Sequence, residues 1–318
     1  MDLDKMRQYP LRVLGSDNKI SWDGGSITIF PQFYPLRILD DMWRGVTVVF
    51  AIPSLGIDSL GWWQNLSFLT DLGPVYAVWI LESCRPASRW TLACLATTAT
   101  FAAQFIGIGT VGPIFYFLCF VLGPRARDLA HRPNRQLDPS KFALLLPLIL
   151  SLHTLEIFGA YFSPDPITRH YWVWAWQMSP LWIGVANFLS ARAIGSWFRN
   201  SRLASPALLL QVLCIISAVV WLSTLLFSPY PLADIFLPTR ARQTDDFMHI
   251  RRAFQFDQVS SFTASFLWLA YLLLDMYSAG LVGLSGFWPI AVLPIVLVSF
   301  GPGVAFALCW SWREAMFA

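Results

Sequence analysis

Charge is scarce in this chain. Asp, Glu, Lys and Arg make up 13% of its 318 residues, where a soluble domain carries roughly a quarter. The net charge of +3 is too small and too dispersed to suggest nucleic acid as a partner. Cys84, Cys94, Cys119, Cys214 and Cys309 form no CxxC pair. Neither a zinc site nor a disulfide framework is indicated, and the five read as small apolar residues. The first thirty residues are polar and mixed, with no signal-peptide core, so insertion through the chain's own helices is expected. P-loop, GxSxG and HExxH motifs are absent, as is a histidine cluster for a di-iron site. The acidic doublets are Asp40–Asp41 and Asp245–Asp246, and neither has another acid three or four residues on. A prenyltransferase that ionises a diphosphate on magnesium needs two separated Asp-rich motifs, so that class is excluded. No metal and no cofactor are expected.

What is abundant is apolar and aromatic surface. The chain is 56% hydrophobic, with 16 Trp and 25 Phe, and its mean hydropathy is +0.54. Lipid is the expected solvent. Residues 1–42 read as a polar cap on the membrane surface, and 43–318 as an all-α polytopic membrane bundle. Apolar spans fall near 43–60, 66–83, 90–108, 110–124, 142–162, 171–191, 204–227, 259–281 and 287–311, judged against the ~20 residues needed to cross the hydrocarbon core. The fourth is short and stands as an alternative continuation of the third across Gly107, Gly109 and Gly112, which would leave eight spans. With nine, 16 of the 22 Lys and Arg fall on the side of the N-terminus, which places that side in the cytoplasm. The endoplasmic reticulum is the expected membrane. The loop 228–258 is a candidate lid. The sequence shows no inverted internal repeat and no matched pair of broken helices of the transporter kind.

Acids within apolar spans draw attention, because a charge at mid-membrane costs about 2.5–3.5 kcal/mol even on the lenient insertion scale. Asp275 sits in the span 259–281, and Tyr271, Trp268 and Ala264 follow back along one helical face. His153 and Glu156 lie one turn apart in the fifth span. There a desolvated carboxyl would donate a proton and the histidine would orient it; the alternative is a polar pair gluing helices. Trp172, Trp176 and Gln177 open the sixth span, ahead of Pro180, a kink signal. Their indole faces suit a cation, or anchor the helix at the interface. Asp71 reads as a helix cap or a group at the mouth of the bundle, and Glu82 as an ion-pair partner of Arg85 or Arg89.

Five stretches carry a resemblance: TDLGPVYAVWILESCR (70–85), FIGIGTVGPIFYF (105–117), WVWAWQMSPLW (172–182), FLWLAYLLLDMYSAG (266–280) and GPGVAFALCWSWREAMF (301–317). In order and spacing they resemble a fungal family of multi-span membrane proteins that includes the terpene cyclases of ascofuranone and ascochlorin biosynthesis. The likeness runs from about residue 43 to the C-terminus. It implies a farnesyl chain with a terminal epoxide as substrate, often carried on an aromatic polyketide. An acid would protonate the epoxide and rings would close through carbocations without metal. Asp71, Glu82 and Asp275 lie inside matching stretches; Glu156 lies outside them.

The expectation is therefore a membrane-bound, class II-like terpene cyclase that binds an epoxyfarnesyl lipophile among membrane lipids. Asp275 or Glu156 is the expected proton donor. His153, Asp71 and Glu82 are auxiliary groups, and Trp172, Trp176, Gln177, Trp268 and Tyr271 hold the substrate. A sterol-isomerase-like enzyme and a non-catalytic transporter or subunit are the alternatives.

Overall fold

The computed structural model describes residues 3–239 and 245–317. Apart from one hairpin, the elements of these residues are helical. Helix α1 (Leu3–Gly15) leads into strands β1 (Lys19–Trp22) and β2 (Gly25–Thr28). They pair antiparallel, with Trp22 opposite Gly25, so Asp23–Gly24 is the two-residue turn, the strongest short hairpin signal a sequence offers. The stretch read as a cap without period is thus ordered. Ile20, Ile27 and Ile29 bury beneath Trp43 and Trp174. The buried Asp40 carboxylate accepts from the amides of Phe33 and Tyr34 at 2.9 and 3.0 Å, tying this head to α2 (Arg37–Ser54).

Helix α2 meets α3 (Ser59–Ser83) at a bend of 111°. Then come α4 (Ala96–Ile106), α5 (Ile108–Leu122), α6 (Leu145–Phe162), α7 (Pro166–Gln177) and α8 (Ser179–Ala193). The chain closes with α9 (Pro206–Phe227), α10 (Asp246–Ser278), α11 (Trp288–Phe300) and α12 (Pro302–Ala315). The starts of α7 and α9 follow local chemistry. Asp165 and Ser205 accept from Thr168 and Leu208 amides, each followed by proline. The Thr168 hydroxyl also donates to Asp165 and holds its carboxyl below the usual range.

Among the described residues three helices, α6, α9 and α10, are long and apolar enough to cross a membrane, and the bent pair α2–α3 would make a fourth. Half or less of each of the three apolar windows is buried. Phe117, Leu226, Phe227, Ile295 and Val298 face outward, as lipid contact requires and water would penalise. The apolar helices Leu92–Ile106, Ile108–Leu122 and Leu284–Phe300 are shorter, so helix length alone does not show nine crossings. The span expected at 171–191 is broken at Met178, two residues before Pro180. The loop 228–258 is largely helical rather than a free lid. Leu232–Phe236 is one turn, and α10 begins at Asp246; residues 240–244 lie outside the described residues. Helix α10 therefore extends roughly 50 Å, beyond the ~30 Å hydrocarbon core. Ion pairs Arg12–Asp246 and Arg251–Asp58 hold its projecting end.

A matched pair of broken helices is present, contrary to the sequence reading. Helix α3 is followed by a 3-10 turn (Leu92–Leu95), α4, Gly107 and α5. Helix α10 is followed by a 3-10 turn (Leu284–Phe287), α11, Gly301 and α12. Gly107 has φ 83° and ψ 140°, Gly301 φ 92° and ψ 163°, backbone that a side chain would strain. Each bonds back to a carbonyl four residues earlier, Ala103 or Leu297. Two residues on, each unit receives an acid from the long helix of the other. Asp257 of α10 accepts from Gly109 and Ile108 amides at 2.7 and 3.2 Å. Asp71 of α3 lies against Gly303 of α12. The contacts are too close for any side chain. A Cβ on Gly109 would lie 2.7 Å from Asp257 Cα, and one on Gly303 2.8 Å from Asp71 Cα. Small residues at such crossings let membrane helices pack backbone to backbone.

Near the end of α3 the two units share an ionic cluster. Glu82 accepts from Arg85 at 2.8 and 3.0 Å, from Arg313 at 2.9 Å and from the Trp310 indole at 2.7 Å. Glu314 pairs with both arginines. The pair Glu82–Arg85 was legible from spacing; Arg313, Glu314 and Trp310 were not.

Gly109→Ala and Gly303→Ala should each lower the stability of the detergent-solubilised protein by about 1–3 kcal/mol or more, because backbone must shift. Gly45 has open space around it, so Gly45→Ala should be neutral or stabilising by up to about 1 kcal/mol. Thermal unfolding followed by size-exclusion chromatography measures all three. Melting of Gly109→Ala with the wild type would refute the close crossing.

Candidate functional site

Helices α2, α3, α6 and α7 enclose a narrow recess whose wall includes Phe50, Ser54, Leu69, Ile157, Tyr161 and Trp176. Local structure on α6 positions it. Residues Leu150–Thr154 form a π-helical turn, a feature that collects at functional sites. Its His153 is buried, with both ring nitrogens engaged. The Trp176 indole donates to Nδ1 at 3.2 Å, and Nε2 lies 3.1 Å from the Leu69 carbonyl. An indole N–H can only donate, so Nδ1 carries no proton and Nε2–H donates to Leu69. His153 thus bridges α3 and α7, and the Tyr76 ring meets it edge-on at 5.1 Å.

Glu156 is buried on the same helix, and its Oε2 has no partner. His153 is not bonded to it, so the expected orienting contact is replaced by the bridge to α3 and α7. More unpartnered groups surround the recess. Tyr161 lines it and packs against Trp62 of α3, and its hydroxyl has no partner. Asn65 lies between Trp62 and Leu69 on that face of α3, with both amide atoms unpartnered. Gln177 is one turn beyond Val173, which also lines the recess, and its amide is likewise unpartnered. A buried polar atom without a partner costs about 1–3 kcal/mol. Several around one recess mark a place built for a polar ligand or for water. As it stands the recess has room for roughly one water. Asn65 and Tyr161 were missed from the sequence, although a Gln64–Asn65 pair inside an apolar run was a usable signal.

The other expected site residues lie elsewhere. Trp172 presses on Gly159, where a Cβ would fall 2.5 Å from its ring, so it seals α6 against α7. Asp71 is no cap, because α3 begins at Ser59; it is buried at mid-helix and accepts from the Ser217 hydroxyl. Asp275 accepts from the Ala126 amide at 2.7 Å and thereby caps the turn after α5, while Arg85 and Glu82 pair with each other. Trp268 is buried against Tyr116 at 5.0 Å, while Tyr271 is exposed and meets Phe120 with the ring planes tilted by 37°. The two rings therefore line no common wall. Glu82 and Trp268 border a second pocket, between α3, α5, α10 and α12.

The CtvD domain family matches residues 33–318. The chain belongs to the CtvD domain family. Curated relatives are fungal. It is 29% identical over 308 residues to the FAD-dependent monooxygenase verC1 of Penicillium polonicum, covering 92% of this chain and 38% of that protein. It is 27% identical to the FAD-dependent monooxygenase anuJ of Penicillium roqueforti (strain FM164), covering 92% and 36%. It is 28% identical over 269 residues to the FAD-dependent monooxygenase BOA8 of Botryotinia fuckeliana (strain B05.10), covering 80% and 34%. The chain thus spans little more than a third of the length of these relatives. No solved structure matches it. These names overturn the expectation of a terpene cyclase and isomerase: they point to oxidation, not ring closure. The fungal, secondary-metabolite side of the resemblance stands.

The flavin in those names finds no match in the described residues. Dinucleotide sites place a pyrophosphate on a helix N-terminus behind a glycine-rich turn from a parallel strand. The sheet here is a two-stranded antiparallel hairpin. The glycine pairs that open α5 and α12 face Asp257 and Asp71, carboxylates that would repel a pyrophosphate. FAD does not fit these residues.

Trp176→Phe removes one donor to His153 and should cost about 1 kcal/mol of stability, whereas His153→Phe strands the buried Trp176 N–H and removes the bond from α6 to the Leu69 carbonyl, and should cost roughly 2–3 kcal/mol. Thermal unfolding in detergent ranks them. Equal stability of His153→Phe and wild type would remove the bridge from the account.

Proposed function

We propose that the chain is the membrane-embedded part of an oxidative step in fungal secondary metabolism. It holds a lipophilic prenylated substrate of the farnesyl or epoxyfarnesyl kind and presents it to a flavin monooxygenase whose flavin lies outside these residues. The observation that carries this reading is the span of the match. The comparison aligns 92% of this chain with 38% of a protein named as FAD-dependent. Most of that relative lies outside the alignment, and the described residues lack a fold that would take the flavin.

In this reading the recess at α6 and α7 is where the substrate's oxygenated end lies. Trp176 and Phe50 supply aromatic walls, and Asn65, Gln177, Tyr161 and Glu156 supply hydrogen-bonding groups without partners. A ligand that satisfies several buried polar groups at once is discriminated strongly from one that cannot. Division into a surface segment 1–42 and a membrane domain 43–318, about nine crossings, a cytoplasmic N-terminus and residence in the endoplasmic reticulum belong to the same proposal. The lipid-facing apolar residues and the distribution of Lys and Arg support them.

Two measurements test it. Purified from membranes, the protein comprising these residues should show no stoichiometric flavin absorbance after incubation with FAD. In a fungal host fed a prenylated aromatic, co-expression with a flavin monooxygenase of the same pathway should raise a product heavier by one oxygen atom. The chain alone should leave the precursor unchanged. Stoichiometric flavin, or no effect of the chain on the oxidised product, would overturn the reading.

A further inference from the structure

The pocket at Glu82 and Trp268 has a position that its size does not advertise. It lies where the two crossed units meet, and each of their four inner helices contributes. Trp79 and Glu82 come from α3, Tyr116 from α5, Trp268 from α10 and Arg313 from α12. Secondary transporters built from internal repeats bind their substrates where the repeats meet. The walls are aromatic: Trp79 meets Phe115 at 4.3 Å and Tyr116 meets Trp268 at 5.0 Å.

The floor is polar and incomplete. Arg313 lines the pocket and is 2% exposed. One of its terminal nitrogens serves Glu82 and Glu314, but its Nε–H is buried with no acceptor. A guanidinium N–H left unmet in an apolar interior calls for an oxygen. The charges already balance, with Arg85 and Arg313 against Glu82 and Glu314. An anion entering there would leave net negative charge in low dielectric beside Glu82, which is unfavourable. A neutral acceptor would not.

We propose that this junction is a second ligand site, taking a lipophile whose neutral carbonyl or ether oxygen accepts from Arg313 Nε–H. The pocket holds about two waters, so only the oxygen-bearing end lies inside. The apolar remainder leaves between α5 and α10. Cys119 and Leu272 line the pocket, and their chain neighbours Phe120 and Tyr271 meet at 5.3 Å with tilted ring planes, Tyr271 being exposed. The site is separate from the recess at α6 and α7 and does not depend on the flavin reading.

The test uses the full chain in lipid nanodiscs and an alkyl methyl ketone carrying a diazirine beside the carbonyl. Irradiation and peptide mapping should place the label on Trp79, Cys119, Trp268 or Leu272. Dodecan-2-one should compete about tenfold better than dodecanoate or dodecane, the worth of one buried hydrogen bond to a charged donor. Arg313→Lys keeps the charge and loses Nε, and should erase the advantage of the ketone. Arg313 also holds the helices together, so Cys119→Phe serves as a second variant; it fills the mouth and should abolish labelling in a protein that still elutes as a single species. Equal competition by dodecane, tighter binding of dodecanoate, or labelling confined to lipid-facing residues outside the pocket would overturn the proposal.

Discussion

The crossed contact between a carboxylate and a glycine-opened helix is the constraint on which the bundle depends. Asp257 on Gly109 and Asp71 on Gly303 bring backbones together at distances that exclude even a methyl group. In lipid there is little hydrophobic drive between helices, and close packing with interhelical hydrogen bonds must hold them. The break at Gly107 frees the first amides of α5, and Asp257 meets two of them. A helix interrupted in the apolar interior is tolerable because its open end is satisfied from the neighbour. The same break at Gly301 places α12 on α3. Each unit is completed by the other, and the ionic cluster at Glu82 and the aromatic pocket follow from that exchange.

The polar groups of the interior then divide into two kinds. Some are fully met and hold the frame. Glu82 takes four hydrogen bonds from two arginines and an indole, and His153 ties α3 to α7 through both nitrogens. Removing one partner from such a buried ionic set is costly, about 3–5 kcal/mol, because the other charge is stranded. Others are unmet: Glu156 Oε2, the Asn65 and Gln177 amides, the Tyr161 hydroxyl and Arg313 Nε. These five lie by the recess of α6 and α7 or at the junction of the units, while others, such as Asp40 Oδ2, Asp71 Oδ2 and His170 Nδ1, are buried elsewhere. Stability accounts for the first kind, and the two proposed ligand sites draw on the second.

What the sequence disclosed depends on the range of each interaction. The apolar runs, the break across Gly107 and Gly109, the interruption near Pro180 and the Glu82–Arg85 pair are local, and all were legible. The hairpin was equally local, in the Asp23–Gly24 turn, and was passed over because the segment lacks a hydrophobic period. Asp275 looked catalytic because its true partner, the Ala126 amide, lies 149 residues away in sequence. The face shared by Tyr271, Trp268 and Asp275 was correct as helix geometry but silent on which side meets α5. The π-turn at Leu150–Thr154 has no signal in the residue pattern, and it left His153 serving α3 and α7 instead of Glu156. The repeat escaped because only a G-x-G and one acid recur, while the surrounding residues differ. The family likeness located the chain among fungal secondary-metabolite proteins, but the chemistry it implied gave way to the oxidation in the names of the relatives.

The crossing of the two units is tested most directly by cross-linking α5 to α10. A Cβ built on Gly112 lies 4.0 Å from that of Ser261, within the range that a disulfide spans. The measurement is mild oxidation of the Gly112→Cys/Ser261→Cys protein in membranes, followed by cleavage at a protease site introduced between Arg199 and Ala204. The account predicts two fragments that stay joined until reduced, with both single variants separating freely despite the native cysteines. Fragments of the double variant that separate without reductant would contradict the crossed arrangement and the pocket built upon it.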